Sequence, residues 1–188
     1  MNVMLEESRK SMPEIIPAIL PKNTDDLKEK VLALPQEISL FHFDVLEEDV
    51  WTEIDRGFEV HLMVKEPEKI VAKWIERGAK RVVAHKFIDL GGRAEFSQAF
   101  ELDSPLVDVE KTNSIQLMSI DEIGEQGHPF NRQVFDRIRE AREKFPNLEI
   151  SVDGGISIEN SKELFEAGAN RLIVGSHFTE LWNSLMKK

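Results

Sequence analysis

LEISVDGGISIENSKELFEAGANRLIVGSHF, residues Leu148 to Phe178, is the stretch on which the fold turns. An apolar run ends at Asp153, two glycines follow, and Ser157 stands as an N-cap before an amphipathic stretch from Ile158 to Ala167. A second apolar run, NRLIVGS, then ends in Gly175 and Ser176, and the closing segment through Trp182 again has helical character. Strand, glycine turn, helix, strand and glycine turn form a βα unit with its successor under way. That order implies a parallel sheet covered by helices.

The same rhythm extends toward the N-terminus. Apolar or β-branched runs at EIIPAIL (Glu14 to Leu20), ISLFHFDV (Ile38 to Val45), FEVHLMV (Phe58 to Val64) and KRVVAHK (Lys80 to Lys86) read as strands. A weaker AEFSQAF (Ala94 to Phe100) and SIQLMSI (Ser114 to Ile120) bring the total, with LEISVD and NRLIVGS, to eight. Helical periodicity is clear at Ile70, Val71, Trp74 and Ile75 before Gly78, and at Val134, Ile138, Ala141 and Phe145 before Pro146. A further helix is expected from about Asp25 to Leu34. Eight units close a (β/α)8 TIM barrel of the phosphate-binding type, and an open doubly wound sheet, which shares the alternation, is set aside by the count. Such barrels run from ~200 residues upward, so 188 residues predict shortened connections. The short ones are Leu46 to Gly57, FIDLGGR after the fourth strand and ELDSPLVDVEKTN after the fifth. One domain over residues 1–188 is expected, since 41% hydrophobic residues suffice for one sizeable core.

A formal charge of -11, from 35 acidic and 24 basic residues without long like-charge blocks, speaks against a nucleic-acid partner. It does not exclude a small anion, because backbone dipoles and a metal set the field at short range. The absence of cysteine excludes disulfides, thiolate nucleophiles and sulfur-ligated metals, leaving His, Asp and Glu as ligands. MNVMLEESRKSMPE at the N-terminus lacks the apolar stretch of a signal peptide and no segment has the length of a membrane span, so a cytoplasmic protein without a membrane partner is expected. Exposed strand surface beside the short connections favours association into a homo-oligomer.

His42 and Asp44 alternate along one strand, so an imidazole and a carboxylate point together into the barrel. Taken alone, the pair is equally well read as a hydrogen-bonded buried couple. His61 closes the third strand's run and Asp153 the seventh's, so all four groups face the C-terminal mouth. Two imidazoles and two carboxylates suit one divalent ion, zinc, iron, manganese or cobalt, with coordination positions left for a substrate. Gly154 and Gly155, and one unit later Gly175 and Ser176, lie before helix N-termini, where free N–H groups favour a phosphate. Ordinary glycine turns are the bland alternative. Gly124 and Gly127 in the loop Ile120 to Phe130 would lay further amides over a ligand, and His85 is open between a substrate contact and a rim residue.

In order, IIPAIL, HFDV, HLMV, LMSI with its glycine loop, VDGGI and VGS resemble the ribulose-phosphate 3-epimerase family over nearly the whole chain. The resemblance implies that His42, Asp44, His61 and Asp153 ligate one divalent metal, that Asp44 and Asp153 exchange the proton, and that Met63 and Met118 line the pocket. It implies a phosphorylated sugar as ligand and epimerisation at carbon 3 of a ketose phosphate, ribulose 5-phosphate with xylulose 5-phosphate. The sequence departs from the family where Ala18 replaces a serine, where Leu46-Glu47-Glu48 replaces M-D-G, and where Asp121 to Gly127 replaces N-P-G-F-G-G-Q. Asp121 and Glu122 are expected to oppose an anionic substrate. These departures leave two alternatives: a non-catalytic phosphosugar-binding protein on the same scaffold, and an epimerase or isomerase for a different sugar phosphate.

Overall fold

The computed structural model describes residues 13–186. The N-terminal segment on which the absence of a signal peptide was read lies almost wholly outside them. Eight parallel strands close into one barrel in sequence order: β1 (Glu14–Ile19), β2 (Leu40–Val45), β3 (Gly57–Leu62), β4 (Arg81–Ala84), β5 (Glu95–Phe100), β6 (Ser114–Met118), β7 (Glu149–Asp153) and β8 (Arg171–Val174). β8 returns to β1 in register from Glu14 opposite Arg171 to Pro17 opposite Val174. Seven strands fall within their expected runs, trimmed by a residue or more, and β3 starts one residue before its run, at Gly57.

Five helices accompany them among the described residues: α1 (Thr24–Ala33), α2 (Val71–Glu76), α3 (Val134–Lys144), α4 (Ile158–Ala167) and α5 (Phe178–Met186). Asn23 caps α1 by accepting the Asp26 N–H at 2.9 Å, and Ser157 with Asn160 forms a reciprocal capping box on α4. No described helix is long and apolar enough to cross a membrane.

No α-helix follows β2, β4 or β5. Loop side chains cover the outward strand faces there instead. Trp51, in the connection after β2, stacks on Phe43 with centroids 6.4 Å apart and meets Phe58 at 5.4 Å. Ile88 and Leu90 cover the sheet after β4, and Leu102 with Val109 of a short 3-10 turn covers it after β5. The core thus forms two sectors between strands and cover: one centred on Phe41, Phe43, Phe58 and Trp74, the other on β6 to β8 with α3, α4 and α5. The barrel interior is far more polar. Glu59, His42, His61, Ser97, Gln116, Ser151 and Arg171 are all buried in it.

Candidate active site

Phe41, Phe43 and Val45 join the outer core, so alternation sends His42 and Asp44 of β2 inward. On β3, Phe58, Val60 and Leu62 face out and Glu59 and His61 face in, with His61 in register with Asp44. Asp153 ends β7 opposite Met118 of β6 and Ile173 of β8. Barrel closure then brings one ligand atom from each of His42, Asp44, His61 and Asp153 within 4.8 Å of the others. His42 Nε2 lies 3.6 Å from Asp44 Oδ1 and 3.9 Å from Asp153 Oδ2. His61 Nδ1 lies 3.8 Å from Asp44 Oδ1 and 3.6 Å from Asp153 Oδ2.

The far side of each imidazole is occupied. His42 Nδ1 is 2.7 Å from Glu59 Oε1, while His42 Nε2 is buried without a hydrogen-bond partner. His61 Nε2 is 3.1 Å from His85 Nε2, and His85 Nδ1 is 3.5 Å from Glu101. Gln116 Nε2 donates to Asp153 Oδ2 at 2.8 Å and lies 3.3 Å from His61 Nδ1. The arrangement that satisfies these contacts leaves a lone pair on His42 Nε2 and on His61 Nδ1, both aimed at the two aspartates. A buried nitrogen without a partner and an N2O2 donor set fit a divalent cation.

Burial pushes the Asp44 carboxyl up to about 7; His42 draws it down and Asp153 adds to the rise. Burial also lowers His61, helped by the nearby His42, and lowers His85 to about 4 with His61 beside it. For His42 burial acts downward but Glu59 outweighs it, so the net direction is up. Burial alone would raise Glu59; bonds from His42 and Arg171 hold it at about 2 instead.

Above the cluster, Asp44 and Asp153 line a cavity of about 50 Å³ with Met63, Met118, Gly124, Gly127, Gly154, Gly155, Gly175 and Ser176. Every residue singled out in the sequence for metal, phosphate or pocket thus meets at one mouth. Gly154 has φ +115°, and a Cβ there would stand 2.7 Å from Ile120; Gly155 has φ +61°, and a Cβ would meet the Phe130 backbone at 2.7 Å. Only glycine fits this close approach. The loop from 121 to 128 reaches over the mouth: Gln126 Nε2 donates to the Ala18 carbonyl at 3.2 Å, hydrogen-bonds Asp44, and lies 3.1 Å from where a Gly175 Cβ would be. Asp121 and Glu122 do not line the cavity, and Asp121 accepts from Asn131 at 2.7 Å.

Glu59, Arg171, Gln116 and Gln126 were not anticipated. For Glu59 a signal existed: an acid two residues before His61 shares its face and therefore lies inside the barrel. Gln126 depends on how an irregular loop folds back, which no periodicity records.

Fold and site together define a (β/α)8 barrel with a histidine–aspartate cluster at its mouth. Residues 92–179 match the model of the ribulose-phosphate 3 epimerase family. A ribulose-phosphate 3-epimerase of Eremothecium gossypii is 32% identical over 133 residues, 63% of this chain and 55% of that protein. One from Escherichia coli is 28% identical over 196 residues, covering 86% of this chain and 87% of its own. The chain is thus similar to ribulose-phosphate 3-epimerases over most of its length. It spans 55% and 61% of the lengths of the Eremothecium gossypii and Schizosaccharomyces pombe relatives. Solved structures agree on the fold. A chain of the tryptophan synthase complex of Pyrococcus furiosus superposes with a TM-score of 0.65 at 12% identity over 91% of this chain and 90% of its own. Phosphoribosyl anthranilate isomerase of Thermus thermophilus does so at 0.58, with 13% identity over 93% and 98%.

Proposed function

We propose that the chain is a metal-dependent epimerase acting at carbon 3 of a ketose phosphate, interconverting ribulose 5-phosphate and xylulose 5-phosphate. The observation that carries the reading is the convergence of Asp44 and Asp153, from opposite sides of the barrel, on one ion-sized cluster under a rim of glycines. Inverting a carbon beside a ketone removes its proton on one face and returns a proton on the other, so two acid/base groups must flank it. Asp44, at the mouth end of β2, is the first of these groups. Asp153 is the second group, oriented by the Gln116 amide. His42, Asp44, His61 and Asp153 would hold the ion, of zinc, iron, manganese or cobalt type. A divalent ion would supply Lewis-acid stabilisation of the charge that develops on the substrate's oxygens. Gly154, Gly155, Gly175 and Ser176 would grip the phosphate, with Gly124 and Gly127 above it, and Met63 and Met118 would bound the sugar. A sugar phosphate needs more room than about 50 Å³, so Gln126 and its loop must withdraw for entry and can then close over the substrate.

The test is proton NMR of ribulose 5-phosphate in heavy water with metal-loaded and then chelated protein. Loss of the carbon 3 proton with appearance of xylulose 5-phosphate, abolished by chelation, supports the reading; a bound but unexchanged sugar refutes it. A groove of about 680 Å³ runs from Asp44 and Met63 past Leu46 and Trp74 to Lys22, where the connection after β2 is short. It favours a second reading, the same chemistry on a different sugar phosphate, which a panel of ketose phosphates distinguishes.

Two further outcomes follow from the site. Cation binding requires Asp44 to lose its proton and His42 to present a bare Nε2, and both groups are shifted upward. Affinity should therefore rise with pH, by up to about tenfold per unit for each proton displaced, and level off only once both Asp44, at about 7, and the upward-shifted His42 have lost their protons. Chelator competition between acidic and mildly alkaline pH measures it. Gly175 lacks a left-handed φ, so Gly175→Leu should fold normally while its side chain displaces Gln126 and fills the phosphate position. The dissociation constant for the sugar phosphate should rise at least about tenfold, equivalent to about 1.4 kcal/mol; an unchanged constant by calorimetry would remove the phosphate assignment.

A further inference from the structure

Beneath the cluster the barrel interior carries a charged chain. Glu59 on β3 is 1% exposed and Arg171 on β8 is 3% exposed. Arg171 Nη2 donates to Glu59 Oε2 at 2.7 Å, its Nε to Glu14 at 3.0 Å and its Nη1 to Ser151 Oγ at 3.2 Å, while Glu59 Oε1 takes His42 Nδ1 at 2.7 Å. Stability alone is a poor account of this pair, because apolar residues such as Ile16, Val83 and Ile173 fill other interior positions, and exchanging a buried ion pair for apolar groups is commonly neutral or favourable. What the pair supplies is direction. A carboxylate accepts and cannot donate, so Nδ1 must carry a proton toward it. The ring is then held with Nε2, which has no partner, facing Asp44 and Asp153.

We propose that Glu59, clamped by Arg171, is a positioning residue that fixes the proton of His42 on Nδ1 and aims Nε2 into the cluster, raising its affinity for a divalent cation. The inference rests on the reading of the cluster as a metal site. Partners of this kind on a ligand histidine set its tautomer and basicity, and their loss typically weakens metal binding about 10- to 100-fold.

Cobalt(II) is titrated into the metal-stripped full chain against a chromophoric chelator, and the ring nitrogens of His42 are assigned by proton–nitrogen NMR. Glu59→Gln alone strands the Arg171 charge, so the informative variant is Glu59→Gln with Arg171→Met. It should stay folded by circular dichroism, lose about 10- to 100-fold in cobalt affinity, and lose the downfield, exchange-protected Nδ1 proton of the wild type. Glu59→Asp should recover part of the affinity. A folded double variant that binds cobalt within about twofold of wild type overturns the proposal, as does a wild-type His42 with no proton on Nδ1. If the double variant does not fold, the wild-type proton assignment and the Glu59→Asp affinity decide. Failure of the wild type to take up cobalt is a separate result: it removes the metal site itself, and with it the role of Glu59, whatever the NMR shows.

Discussion

Asp153→Asn, saturated with metal, is expected to lose about 10²- to 10⁴-fold in the rate of inversion at carbon 3, the usual scale for a positioned acid/base. The asparagine oxygen can still accept from Gln116, whose amide lies 2.8 Å from Asp153 Oδ2. Asp153 is also only slightly exposed at the mouth and forms no part of the apolar core. Stability should therefore change by no more than about 1 kcal/mol. With Asp44 alone remaining, any residual deuterium uptake should occur without inversion, because the deuteron returns to the face the proton left. Following the carbon 3 proton in heavy water at several metal concentrations separates lost chemistry from lost metal. A variant that unfolds would mean that Asp153 holds the barrel together, and a folded variant that inverts at the wild-type rate would mean that it moves no proton.

The largest stability loss is expected at Trp74→Ala. Trp74 is 1% exposed, meets Phe43 edge-on at 5.0 Å and Trp51 at 5.5 Å, and carries the Arg77 guanidinium 4.6 Å above its ring. No helix follows β2, so the loop residue Trp51 is the neighbour on that side of the indole. A loss of about 3–5 kcal/mol is the usual cost of deleting such a side chain. Denaturant titration reads it, and a loss below about 1 kcal/mol would show that the Trp51 segment collapses onto the strands.

Where regular periodicity exists, the sequence is a sufficient guide. The strands β1 to β8 coincide with the runs read from apolar spacing to within a few residues, and α4 begins after Ser157 and ends at Ala167 as its capping and glycine signals require. His42 and Asp44 were legible for the same reason, since a two-residue period sends both through one face. The resemblance to the epimerase family was legible in HLMV and VDGGI and stands with the family match over residues 92–179. The interior ion pair was not. Alternation can place Glu59 on the inward face, but its pairing with Arg171 across the barrel is a tertiary fact: the two are 112 positions apart. Gln126 escaped because its loop obeys no period.

The unequal cladding of the barrel has a mechanical meaning. β6 to β8 lie under three helices, whereas β2 to β5 are followed by α2 and otherwise by loop side chains, so the former half is expected to be stiff and the latter pliant. His42, Asp44 and His61 belong to the pliant half and Asp153 to the stiff one. An ion held by all four would act as a rivet across the seam, so that loading the site and tightening the barrel become a single event.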